Sequence, residues 1–169
     1  MDVLQKPVPR PAANNGRNRA IKTRDELTAG DLVIYPFLWG WQSKKGIISA
    51  EKMRPCVVLL RNETERGPML ALLPITTHTA KAWHDRQPVP LEECQRVGMD
   101  PRRNATIGMN DYNIDYVQES TYLRHNAPVR SFSEPFMQEL IGNFRDVLAQ
   151  RRAVQVVRVP DPKAEFSLI

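Results

Sequence analysis

Two continuous apolar runs, PCVVLLR at residues 55–61 and MLALLPIT at residues 69–76, stand only seven residues apart. A strand with one wet face alternates apolar and polar side chains, so an unbroken run is covered on both faces. The intervening NETERGP carries Gly67 and Pro68 and reads as a hairpin-like turn over Asn62–Pro68. The chain must therefore place a hairpin at its centre and find cover for both sides of it.

The cover has to come from the rest of the chain. Ala29-Gly30-Asp31 is a turn signal before a β-rich first strand, Leu32–Phe37. Residues 38–52 make a long polar-aromatic connection, of a length that is often functional. Gln87–Pro90, 104–109, Asp111–Val117 and Ser120–Leu123 read as short β pieces, and LEECQRVG as a short helix stopped by Gly98. The clearest helix runs over about 133–152. Ser133 suits its N-cap, Pro135 its first turn, and Phe136, Leu140, Phe144, Val147 and Leu148 form one stripe beside Met137 and Ile141. Residues 153–159 read as an edge strand before a polar tail. The fold class is mainly β with a C-terminal helix: a small curved antiparallel sheet or barrel closed by that helix.

The formal net charge is +5, and all of it lies at the N-terminus: residues 1–24 hold six Lys/Arg against Asp2 alone. The other residues balance 18 basic against 18 acidic side chains. Residues 1–24 therefore read as a basic disordered arm, 25–152 as the folded domain, and 153–169 as edge strand or tail. No apolar run approaches the roughly 20 residues of a membrane span, and the N-terminus has no apolar secretory segment. Cys56 and Cys94 sit in no CxxC, and His78, His84 and His125 share no ligand spacing, so the expectation is a cytoplasmic protein without metal or cofactor.

The order of GDLVIYPF, a glycine-containing loop, RPCVVLL and LLPITTH resembles the MazF/PemK family of toxin endoribonucleases. The motifs are Gly30-Asp31, Arg54-Pro55 and Pro74-Ile75-Thr76, with the later MNDYNIDYV resembling the family's Asp-containing strand before a terminal helix. The match covers about residues 30–150. It implies an SH3-like barrel, a homodimer, metal-independent cleavage of single-stranded RNA, and an acidic antitoxin as partner. The family's catalytic arginine falls on Arg54 and its catalytic threonine on Thr76. The loop before Arg54 departs from the family pattern, and Glu51 is only a loose match for the family glutamate.

The residues support that chemistry to different degrees. An arginine at the mouth of a rigid strand suits the extra charge on a reacting phosphate. The same residue also reads as a strand cap paired with Glu51 or Asp31. His78, two residues beyond Thr76, is a candidate acid–base group or phosphate contact, as is Glu51. Trp39 and Trp41, interleaved with Lys44 and Lys45, are candidate RNA contacts through stacking and charge. Asn110, Asp111, Tyr112 and Asn113 offer base-edge donors and acceptors; an Asn-Asp pair is equally an ordinary turn. The competing functional reading is a non-catalytic module that binds nucleic acid or a protein through the loop of residues 38–52.

Overall fold

The computed structural model describes residues 20–164. The greater part of the basic arm, residues 1–19, lies outside the described residues. The arm's last residues are not disordered: Ala20–Thr23 form β1, paired antiparallel with β8 (Asn126–Val129).

The central hairpin is β3 (Arg54–Thr64) and β4 (Gly67–Thr76), both longer than the apolar runs at the turn end. Only Glu65 and Arg66 lie outside the paired strands, because Gly67 takes φ +90 and the Thr64 hydroxyl bridges the turn to the Gly67 carbonyl at 2.8 Å. β2 (Leu32–Tyr35) flanks β3 antiparallel. The other edge of β4 is divided. Met69–Leu72 pair with β7 (Asp111–Tyr116), and Ile75–Thr76 pair with β6 (Thr106–Gly108). β5 (Arg86–Pro88) pairs with β6, and β9 (Val154–Val157) runs parallel to β7.

The strand pairing leaves the sheet open where a closed barrel was expected. β4 serves two short partners, which diverge to β5 and to β9, and neither returns to β2. The β1–β8 ribbon reaches the main sheet through one bridge, Asp31 to Ser131. Buried Asp31 holds that junction. It accepts from Lys22 Nζ on β1 and from the Thr28 N–H, each at 2.9 Å, and from the Ser131 hydroxyl.

Both faces of the hairpin are covered, as its unbroken runs require. Val57, Leu59, Ala71, Leu73 and Ile75 face one cluster, closed by α3 (Glu134–Ala149) through Phe136, Met137, Leu140, Phe144 and Val147. Cys56, Val58, Leu70 and Leu72 face the other, with Tyr35, Phe37, Val117 and Tyr122. Each fully buried large apolar side chain contributes about 1.5–3 kcal/mol. Leu148, assigned to the helix stripe, is instead exposed, beyond the end of the sheet face. Ser133 caps α3 by accepting from the Phe136 N–H at 3.4 Å, and its own N–H donates to buried Glu93 on α2 (Leu91–Val97) at 3.0 Å. Gly98 ends α2 in the left-handed region, φ +71.

The loop of residues 38–52 contains a short helix, α1 (Gly40–Lys44), that the sequence pattern did not predict. Residues 117–119 form a turn and Ser120–Leu123 bend away from it without forming a strand. Among the described residues no helix is long and apolar enough to cross a membrane.

Candidate active site

Arg54 pairs with Tyr35 across β2, and Cys56 pairs with Pro74 across β4. That is the last β3–β4 pair, and continuing its antiparallel count by two residues sets Arg54 level with Thr76 at the adjacent ends of the two strands. Strand alternation then puts both side chains on one face. Both line a cavity of about 390 Å³, within the range of small-ligand sites, together with His78, Lys52 and Arg103. The far wall is the connection from Gly98 through a 3₁₀ turn (Pro101–Arg103) to Ala105.

The charge in this cavity is one-sided. Among the described residues Arg54, Lys52 and Arg103 form no ion pair, and the single lining carboxylate, Asp100, is forked by Arg102 at 3.1 Å through both oxygens. Neither Glu51 nor Asp31 pairs with Arg54, so the strand-cap account of this arginine fails: Glu51 is exposed, and Asp31 is occupied by Lys22. The Arg54 guanidinium lies 5.0 Å from the Trp39 ring centroid, and its Nε is buried without a hydrogen-bond partner. Trp39 in turn packs edge-on against Phe37 at 5.0 Å.

Thr76 is 8% exposed. Its Oγ1 accepts from the His78 N–H at 3.1 Å, which leaves the hydroxyl proton free to donate. The His78 carbonyl accepts from Arg86 at 3.2 Å, and the same Arg86 nitrogen reaches Thr106 Oγ1 on β6 at 3.2 Å, so the strand end is tethered. Below, burial pushes the Cys56 thiol well up, and Arg54 only partly offsets that. Cys56 is therefore no thiolate nucleophile.

The other candidates do not join this cavity. Trp41 is 57% exposed on α1 with Lys45 Nζ over its ring at 5.1 Å; neither they nor Lys44 line the cavity. Asn110 is bound to Asp85 in both directions, at 2.7 and 2.8 Å. Asp111 accepts from the Gly40 N–H at 2.9 Å, with burial raising its carboxyl above the usual range. A Cβ at Gly40 would lie 2.7 Å from that same oxygen, so the close approach requires glycine. Tyr112 donates to Gln155 at 2.9 Å. Asn113 is fully buried and clasps the Leu38 backbone, accepting at 2.9 Å and donating at 2.7 Å. Asp111, Tyr112 and Asn113 hold the 38–52 loop and β9 onto β7, Asn110 holds the residue before β5, and Asn113 has no face left for a base.

The firmest hold on that loop was not anticipated. Arg158, 4% exposed, donates to the carbonyls of Pro36 at 2.6 Å and Ile48 at 3.2 Å and to Asn113 at 3.2 Å. Its guanidinium lies 3.9 Å from the Tyr122 ring centroid and 5.2 Å from that of Tyr35. Tyr35 donates to Asp115 at 2.7 Å, and Ser120 does so at 2.8 Å. Burial lifts the Asp115 carboxyl above its ordinary value despite these donors, and burial beside Asp115 lifts the Tyr35 phenol. The sequence signal was present: Arg158 falls in step with buried Val156 on β9's inward face. Lys52 and Arg103 were also missed, because only the tertiary fold brings residues so far apart in sequence into one wall.

Among the described residues no group of three or more His, Cys, Asp or Glu side chains is placed to hold a metal ion. No protein-family model matches this chain, and no curated protein matches it.

Proposed function

We propose that the chain is an endoribonuclease that cleaves single-stranded RNA without a metal ion, in the cavity of Arg54 and Thr76. The observation that carries the reading is a strand-end guanidinium free of any hydrogen bond or ion pair among the described residues, opposite a hydroxyl that keeps its proton to donate. Such a pair matches a phosphate with charge accumulating on its oxygens. In the reaction the 2′-oxygen attacks the adjacent phosphorus and the bond to the 5′-oxygen breaks. The 2′-proton leaves to a base, and the departing 5′-oxygen takes one up. The products are a 2′,3′-cyclic phosphate and a 5′-hydroxyl, and no water is consumed. Arg54 and Thr76 stabilise the phosphoryl oxygens, and His78 supplies an imidazole beside them for proton transfer.

The motifs Gly30-Asp31, Arg54-Pro55 and Pro74-Ile75-Thr76 extend the proposal to the toxin of a type II toxin–antitoxin pair, a divergent relative of the MazF/PemK group that acts as a homodimer. An acidic antitoxin would compete for the same cations.

The test is incubation of the purified protein with mixed-sequence single-stranded RNA in EDTA, with mapping of product ends. Discrete cuts bearing cyclic phosphate are expected. Arg54→Ala and Thr76→Val should each slow cutting by about 100-fold or more while remaining folded. Cleavage that depends strictly on added Mg²⁺ would overturn the mechanism. Binding of RNA without cleavage would leave a nucleic-acid-binding module instead.

A further inference from the structure

A second groove, of about 290 Å³, adjoins the Arg54 cavity, and Pro55 and Met99 line both. It runs between the β1–β8 ribbon and the outer face of β2. Its floor is aliphatic, with Leu32, Val33 and half-exposed Ile34, and no aromatic ring lines it. Lys22, Arg24, Arg124 and Arg130 also line it, and no carboxylate does. Lys22 is neutralised by Asp31, and Arg24 donates to the Ser120 carbonyl at 2.9 Å. Arg124 and Arg130 form no ion pair among the described residues. The near-neutral body of the chain thus carries a local trough of positive charge that its composition conceals.

We infer that this groove seats the nucleotides on one side of the cut, as an unpaired RNA segment with its phosphates toward Arg124 and Arg130 and its bases on the aliphatic floor. The inference rests on the nuclease reading for the position of the cut, but not for the binding itself. Duplex RNA is the wrong occupant, because its bases are stacked inward and cannot lie on an apolar surface. Two free arginines select a polyanion. A floor without rings offers neither stacking platforms nor base-edge partners, so binding through it is governed by charge and indifferent to sequence.

The experiment uses the full chain and fully 2′-O-methylated oligonucleotides, which cannot be cut. A short core is extended on its 5′ side or its 3′ side, and affinity is measured over a range of salt concentrations. Extension on one side only should tighten binding. Arg124→Gln/Arg130→Gln should abolish that gain and flatten the log–log salt slope by about 1.4, from about 0.7 per phosphate contact on single strands. The single variant Arg124→Gln, at an exposed site, should remove about half and guards against a folding defect in the pair. A gain that survives in the double variant, or a gain from both extensions alike, overturns the proposal even if wild type cleaves RNA. So does a Glu-rich peptide whose binding depends on these arginines while RNA binding does not. Loss of the gain in a protein that never cuts RNA supports the groove and refutes only the nuclease.

Discussion

Arg54 and Arg158 both lean on aromatic rings and both bury an Nε without a partner, but they differ in what the rest of the guanidinium meets. Arg158 is buried, with two backbone carbonyls and an amide oxygen around it and two tyrosine rings against it. Arg54 has one ring, no hydrogen bond from its guanidinium among the described residues, and a cavity in front of it. A cation placed for stability is surrounded by acceptors, because desolvating it otherwise costs several kcal/mol. A cation placed for a ligand must be left incomplete until the ligand arrives. Arg158 meets the first condition, and the role proposed for Arg54 requires the second.

The contrast can be broken in three places. The largest effect should come from Arg158→Ala, which takes the side-chain donor from the Pro36 carbonyl, one of two donors from the Ile48 carbonyl and from Asn113, and the cation from the two tyrosine rings; an unsatisfied buried acceptor costs about 1–3 kcal/mol. A loss of about 2 kcal/mol or more in urea unfolding is expected, and a change below about 1 kcal/mol would show that the clasp is not structural. Next is Asp115→Asn. Burial raises the Asp115 carboxyl in the folded state despite the Tyr35 and Ser120 donors and the nearby Arg158 and Arg24. Between the unfolded value of about 3.9 and that raised value, the native state binds more protons than the unfolded chain. Stability therefore falls as pH rises through the window, and denaturation midpoints for the asparagine variant should lose that component. The smallest effect on stability belongs to Arg54→Met. It fills the same space without an unpaired nitrogen and should sit within about 1 kcal/mol of wild type, or above it, while RNA cleavage is lost. A large destabilisation there would make Arg54 a second structural arginine and erase the comparison.

The central hairpin, the capped helix α3 and the stop at Gly98 were legible in the sequence, because each has a local cause: an unbroken apolar run, a Ser133 cap with an apolar stripe, a left-handed glycine. Arg54 and Thr76, read from the sequence as the ends of two adjacent core strands, line one cavity. The β1–β8 ribbon was not legible. Its residues AIKT and NAPV lack β periodicity, and their pairing depends on Asp31, which reaches both from a turn. The parallel partner of β7 arrives only after α3 has crossed the sheet, so β9 read as an undirected edge. The run Asn110–Asn113 shows a deeper limit. Side chains that can read a base can equally tie down a loop, and only burial separates the two uses.

The Pro36–Arg158 hydrogen bond spans 122 residues, the longest separation among the side-chain hydrogen bonds described. Contacts of such high order form late, after local pairing has reduced the entropy of closing the intervening chain. In synthesis from the N-terminus, all of β2, β3 and β4 emerge before residue 158 does. The loop that brings Trp39 against Arg54 is therefore expected to be fastened last, with the wall behind Arg54 completed after the hairpin that bears it.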